Sequence, residues 1–264
     1  MLAGYIAPMS LPSVLRRALL LGGLALSALG AAAGPLPPLR FLHDLSVSPP
    51  FLAVTRDEQG SQTVVGGLLV DLNRALAAEL GREAVFVPTP RRRVEQVLQA
   101  GGGDLLCYID PSWLAEPQAL DWSTVYLSNV NLLVARAGLS MPASLAELRG
   151  VRVGTVAGYV YPELAGYLGS GGLLRDDAPN DETNLRKLAA GRTDYLVTHR
   201  IYLEHVLKRQ PELGAALGAR LEIRHFDTRC AVSRRGQISV QALDAALDRL
   251  RRDGRLAAIL AAYR

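Results

Sequence analysis

Cysteine is scarce in this sequence: Cys107 and Cys230 are the only two in 264 residues. Two isolated cysteines carry no metal-ligand spacing, which excludes a zinc module of the C-x-x-C kind. Each sits inside an apolar, strand-like run, where a buried reduced thiol is the first expectation; export would permit a Cys107–Cys230 disulfide as the alternative. The four histidines, His43, His199, His205 and His225, are equally scattered, so no metal site is expected. A Walker loop, a dinucleotide fingerprint and a nucleophile elbow are all missing, and no cofactor is expected. An excess of one charge is missing too: 29 basic against 25 acidic side chains leaves +4. Such a balance gives no electrostatic case for a nucleic acid or an anionic membrane as partner. No apolar run is long enough to span a bilayer comfortably.

What is present begins with a targeting signal. Arg16 and Arg17 precede the apolar run Ala18 to Leu29, and Gly30-Ala31-Ala32-Ala33 follows. Basic, apolar, then small residues is the order of a secretory signal peptide, here residues 1–33, with cleavage after Ala33. No cysteine follows the small residues, so a bacterial lipid anchor is not indicated. Removing the two arginines would leave 27 basic against 25 acidic groups. The expected location is the periplasm.

Beyond that segment one unit occurs twice. Leu98 to Ile109, LQAGGGDLLCYI, reads as a helix end, a glycine stop, then an aspartate leading into an apolar strand. Leu188 to Val197, LAAGRTDYLV, repeats it. Leu98 matches Leu188, Ala100 matches Ala190, Gly101 matches Gly191, Asp104 matches Asp194 and Leu106 matches Leu196. A glycine just past a helix can take the left-handed conformation that closes the last turn. The apolar runs fit strands of a parallel sheet.

The surrounding pattern alternates strand and helix. Strands are expected at Leu39 to Leu45, Ala84 to Val87, Val130 to Arg136 and Val151 to Val156. Helices are expected at Gly66 to Leu80, Arg91 to Ala100, Ala157 to Leu168, Asp181 to Ala190 and Ile201 to Lys208. Ser144 to Glu147 reads as a capping box, Ser170 to Asp177 as loose chain. Leu221 to His225 and Cys230 to Ser233 read as two strands, and Ser239 opens a closing helical region. Two sets of alternating elements with leftover terminal helices predict two lobes, the first discontinuous. Strands near Tyr126 to Leu132 and Asp227 to Val232 would join them.

Short motifs in order carry a resemblance. Ser48-Pro49-Pro50-Phe51 and Gly67-Leu68-Leu69-Val70-Asp71-Leu72 resemble the "PPF … GfdvDl" opening of family 3 bacterial extracellular solute-binding proteins. Leu98 to Leu106 resembles "LqsGkvDl", Asp121 to Tyr126 "dFSdpY", Ser144 to Val153 "sLedLkGkkVgV", Leu188 to Val197 "LaaGrvDavv", and Leu250 to Tyr263 "LkadGtlakiyekw". Pro90 to Arg93 resembles the "PwxR" turn of a less characterised branch.

The resemblance implies an α/β, two-lobed periplasmic binding protein type II fold. Each lobe would be a mostly parallel sheet flanked by helices, joined by two hinge strands. Lobe I would comprise 34–128 plus 230–264, and lobe II 129–229. It also implies a monomer that takes a small polar solute and passes it to the membrane permease of an ABC importer. Alternatives on the same shape are a ligand-sensing module of a membrane receptor and a dehydratase-like enzyme, with Glu116, Glu163 and His199 as its acid groups.

The family's carboxylate-clamping Arg, in "TPER", falls at Glu116, and its ammonium-binding acid falls at His199. An ordinary α-amino acid would lose both anchors. A cleft-facing Glu116 would favour a cationic or hydroxyl-rich solute. Asp44, at the end of the first strand, matches a family ligand contact. Arg91 lies where the family often stacks an aromatic. Arg91, Arg92 and Arg93 oppose the dipole at a helix start, which fits placement for a ligand, with Arg91 and Arg93 the candidates. Trp113 and Tyr126 suit stacking on a solute. Gly158 and Tyr159, with Ala157, open the helix expected after a strand, where they would give free amides to an anion, or Gly158 would simply serve the turn.

Overall fold

A computed structural model describes residues 36–168 and 172–263, together with Met1 and Gly4. The expected signal peptide otherwise lies outside the described residues. Pro35–Arg264 forms one compact unit.

The chain opens with strand β1 (Leu39–Asp44) and a hairpin of β2 (Ala53–Arg56) and β3 (Gln62–Gly66). Helix α1 (Leu68–Glu79) follows at Gly67, whose φ of 112° and 2.6 Å Cβ clearance from the Phe51 carbonyl oxygen admit only glycine. Strand β4 (Ala84–Thr89) leads through a 3₁₀ turn, Arg91–Arg93, into α2 (Val94–Gln99) and β5 (Leu105–Ile109). After two 3₁₀ turns come β6 (Asp121–Trp122) and the long β7 (Leu127–Arg136). Next are β8 (Arg152–Val156), β9 (Leu174–Ala178), α3 (Asp181–Ala189), β10 (Tyr195–His199) and α4 (Arg200–Arg209). Strand β11 (Leu217–Val232), α5 (Val240–Arg252) and α6 (Arg255–Ala261) end the fold.

Hydrogen bonds run through the order β4-β1-β5-β11-β7-β10-β8-β9, with β6 also on β11. At one end β1 is parallel to β4 and β5; at the other β8 is parallel to β9 and β10. Strand β11 joins the ends: its Leu217 to Thr228 stretch runs antiparallel to β7, and its last residues antiparallel to β5. The first end buries Leu72 and Leu76 of α1 with Leu243 and Leu247 of α5, while Val94 and Leu98 of α2 pack with Leu42 of β1. The other end has its own apolar group around Leu133, Val153, Leu164 and Val197.

The internal repeat is realised as the same joint built twice. Gly101 (φ 80°) and Gly191 (φ 68°) are left-handed. The next amides, of Gly102 and Arg192, donate back to the carbonyls of Val97 and Lys187, closing each helix with a Schellman motif. Each aspartate then pairs with an arginine on the neighbouring strand: Asp104 with Arg40 at 2.8 Å, Asp194 with Arg136 at 3.0 Å.

Several expectations are corrected. Cys107 and Cys230 are not free thiols: they face each other across β5 and β11 and form a disulfide. The expected helix from Ala157 to Leu168 is a turn at left-handed Gly158 followed by a 3₁₀ segment, Pro162–Tyr167. Pro162 lacks the amide that helix continuation would use. Part of the "loose" Ser170 to Asp177 stretch is β9, an edge strand whose charged side chains suit its exposed position. The two strands expected between Leu221 and Ser233 are one, β11. Ser144 caps nothing with its side chain and only a 3₁₀ turn follows, although Glu147 Oε2 does accept from the Ala143 amide at 3.1 Å.

Candidate functional site

Carboxyl ends of strands from both ends of the sheet meet at one place. His43 and Asp44 close β1, Tyr108 and Ile109 close β5, and Thr89-Pro90 after β4 deliver Arg91. From the opposite side β8 delivers Gly158 and Tyr159, β10 delivers His199, and β7 contributes Asn131. These groups enclose a cavity of about 40 Å³. That is room for a few water molecules, so the two sides are closed onto each other.

Side chains hold the closure. Arg91 reaches over from the first side: Nε donates to the Gly158 carbonyl and Nη2 to the Trp113 carbonyl, both at 3.4 Å, and Nη1 lies 3.6 Å from Asp44 Oδ2. Its guanidinium stands 5.4 Å from the centre of the Tyr159 ring, within cation–π range. Asp44 is fixed by accepting from the Ser46 amide and hydroxyl through Oδ1. Below it, Tyr108 hydroxyl lies 3.1 Å from His199 Nδ1 and accepts from Asn129 Nδ2 at 2.8 Å. Tyr108 has a φ of 63°, a strained conformation for a non-glycine residue, and its ring stacks on Phe51 at 4.2 Å. The Trp113 and Tyr159 rings both lie nearly parallel to the His199 imidazole, with centres 6.2 and 6.4 Å away. Beside this layer Arg224 of β11 donates to Asp110 Oδ2 at 2.8 Å and lies 3.7 Å from Glu163 Oε2, while Asn131 Nδ2 donates to Glu163 Oε1.

Burial governs the electrostatics. It pushes His199 and His43 down to about 4, so both imidazoles are neutral at pH 7. Burial, helped by the Asp44 charge, pushes Asp181 at the start of α3 up to about 7. Burial also raises Asp44, although Arg91 opposes it. These values imply a pH dependence. The unfolded chain binds protons on both histidines as pH falls from 6.5 towards 4, whereas the fold does not, so stability is lost there. Asp181 acts oppositely: the fold takes its proton near pH 7 and the unfolded chain only near 3.8, which adds stability on acidification. Each histidine alone contributes a loss of about 3 kcal/mol between pH 7 and 4, which Asp181 and Asp44, both raised, oppose. His199→Gln is expected to flatten that slope in denaturant titrations; an unchanged slope would rule this origin out.

Of the residues singled out from sequence, Asp44, Arg91, Trp113, Tyr159 and His199 line this one cavity. Gly158 joins them through its carbonyl. Arg93 and Glu116 are exposed and outside the lining, and Tyr126 is buried in the core at the start of β7. Glu116 is turned away because 110–119 folds as two 3₁₀ turns, with the Ala115 and Glu116 amides both donating to Glu95. Sequence reasoning missed Tyr108, Asn131, Asp181, Arg224 and His43. Carrying the repeat two residues further would have paired Tyr108-Ile109 with Thr198-His199 and marked both strand ends as one feature.

Solved structures share this architecture. An ancestral arginine-binding protein bound to arginine is 23% identical over 87% of this chain and 99% of its own, with a TM-score of 0.69. An amino acid ABC transporter substrate-binding protein from Streptococcus pneumoniae, bound to L-arginine, is 21% identical over 86% of this chain and 94% of its own, with a TM-score of 0.65. A histidine kinase sensor domain similar to periplasmic binding proteins is 23% identical over 86% of this chain and 95% of its own, with a TM-score of 0.66. A search of curated proteins found no match. The fold is that of the type II periplasmic binding proteins: two lobes, each a largely parallel sheet with helices, joined by hinge strands, here β7 and β11. The sequence itself is matched over residues 45–264 by the bacterial extracellular solute-binding proteins, family 3, and the chain belongs to that family.

Proposed function

We propose that the protein is an exported, periplasmic solute-binding protein that closes two lobes, 34–128 plus 230–264 and 129–229, around a small polar solute. It acts as a monomer without catalysis and delivers the solute to the permease of an ABC importer. The observation that carries this is the convergence of Asp44, Arg91, Trp113, Tyr159 and His199, from five separate chain segments, on one cavity between the strand ends. Ligands of open α/β sheets sit in that position. A solute touching both lobes shifts the population towards the closed state by the contacts it gains there. The disulfide supports export, because such bonds persist in oxidising compartments. The likeness to a histidine kinase sensor domain favours a second reading, in which closure signals to a receptor instead of feeding a permease.

A thermal-shift screen against a metabolite panel tests the reading. A true ligand raises Tm by several degrees, and Trp113→Ala and Tyr159→Ala abolish the shift. A panel that gives no shift, or shifts indifferent to both variants, removes the cleft from the argument. Free glutamine and arginine are expected to leave Tm unchanged, since the position of the family's carboxylate clamp carries an outward-turned glutamate. A shift of several degrees with either would refute that exclusion. Ligand-stimulated ATP hydrolysis by a reconstituted permease, against ligand-dependent receptor activity, separates importer from sensor.

A further inference from the structure

Arg91 stands out among the cleft residues because its environment is complementary to a cation in every direction. It has the Gly158 and Trp113 carbonyl oxygens at 3.4 Å, a carboxylate oxygen of Asp44 at 3.6 Å and the face of Tyr159 at 5.4 Å. Asn131, 1% exposed, lines the same cavity with its Oδ1 lacking any hydrogen bond. Among the described lining residues Arg91 is the one permanent cation; Arg224 nearby is committed to Asp110, Ser112 and Glu163. None of the three polar contacts to Arg91 reaches the 2.7–2.9 Å of a well-made charge-assisted hydrogen bond. A guanidinium tethered to the backbone at the mouth of α2 cannot settle onto all its partners together. An untethered cation of the same shape can.

Resting on the solute-binding reading, we infer that the ligand is a small organic cation, a guanidinium or alkylammonium without an α-carboxylate, which takes the place held by the Arg91 side chain in this closed form. Arg91 is then the built-in competitor that sets the specificity of the cleft: it occupies the site when the solute is absent and swings aside when it binds. The lack of a second uncommitted cation excludes a carboxylate on the ligand. The void left by the side chain adds to the existing 40 Å³ and lies under the aromatic face of Tyr159.

Arg91→Ala and Arg91→Gln test this with methylguanidine and agmatine as cationic probes, and L-arginine, succinate and glucose as comparators. Calorimetry is expected to show both variants binding methylguanidine at least tenfold more tightly than the wild type. Asp44→Asn added to either variant is expected to cancel that gain. Arg91→Gln keeps the packed stem, so it reads the same outcome if the alanine variant folds poorly. Variants that bind neither cation more tightly than the wild type overturn the inference. Succinate binding that disappears in Arg91→Gln also overturns it, making Arg91 an anion clamp, yet leaves a solute-binding cleft in place. Absence of binding by any probe of any class, to wild type and variants alike, counts against both.

Discussion

Replacing Cys107 and Cys230 together with alanine is expected to lower the unfolding free energy by about 4 to 5 kcal/mol, and Tm by roughly 10–15 °C. The bridge closes a span of 123 residues between β5 and β11, and a cross-link over so long a loop removes much of the unfolded chain's freedom. The whole of the proposed second lobe, 129–229, lies inside that span, and both ends of the span are seated in the core, Cys107 5% and Cys230 0% exposed. Alanine is the right replacement there, since serine would bury a hydroxyl and add a desolvation cost of its own. A reductant alone is a weaker test, because sulfurs so deeply buried are shielded from attack. Denaturant titration of the double variant against wild type decides it. A difference below about 1 kcal/mol would mean that the bridge constrains little that the fold has not already fixed.

That the two cysteines meet could not be read from the chain, and the reason is physical. Their pairing depends on β11 lying antiparallel to β5 with Cys230 opposite Cys107, a register set by long-range packing, whereas each local sequence reads only as an apolar strand. Features that depend on local chemistry were legible: the glycine-terminated helix before each repeat strand, the α1 stripe of Leu69, Leu72 and Leu76, and the strand ends carrying Asp44 and His199. Arg91 was legible as a cation at odds with its helix dipole, and the structure shows what it does instead. The direction of Glu116 was not legible: counting without a gap from Asp104 gives its position only, and its exposure follows from two tight turns bound to Glu95. Asp181 escaped notice because a helix-opening aspartate is ordinarily a dipole partner; its burial, with the Asp44 charge near it, comes from tertiary packing that the local sequence does not show.

The twin joints predict a contrast between their aspartates. Asp104 is fully buried and accepts from the Arg40 amide at 2.8 Å, from Arg40 Nη2 at 2.8 Å and from the Gln237 amide at 3.2 Å. Asp194 is half exposed, and its side chain accepts from Arg136 Nη2 at 3.0 Å. Asp104→Ala is therefore expected to cost about 3 kcal/mol, chiefly because two backbone amides lose their acceptor; the Arg40 guanidinium is partly exposed and can turn to water. Asp194→Ala removes an exposed pair and is expected to cost under about 1 kcal/mol. Burial by itself would raise the Asp104 carboxyl, but the Arg40 and Gln237 hydrogen bonds outweigh it and hold it below its ordinary 3.8. Its contribution is thus complete above that value and lost as pH falls through the lower folded value. Asp104→Asn keeps one acceptor oxygen and is expected to recover part of the loss at pH 7 while removing the acid-side dependence. Denaturant titrations of the three variants measure all of this. Equal costs for Asp104→Ala and Asp194→Ala would overturn this, showing that neither the two backbone amides nor the burial of Asp104 sets the strength of its joint.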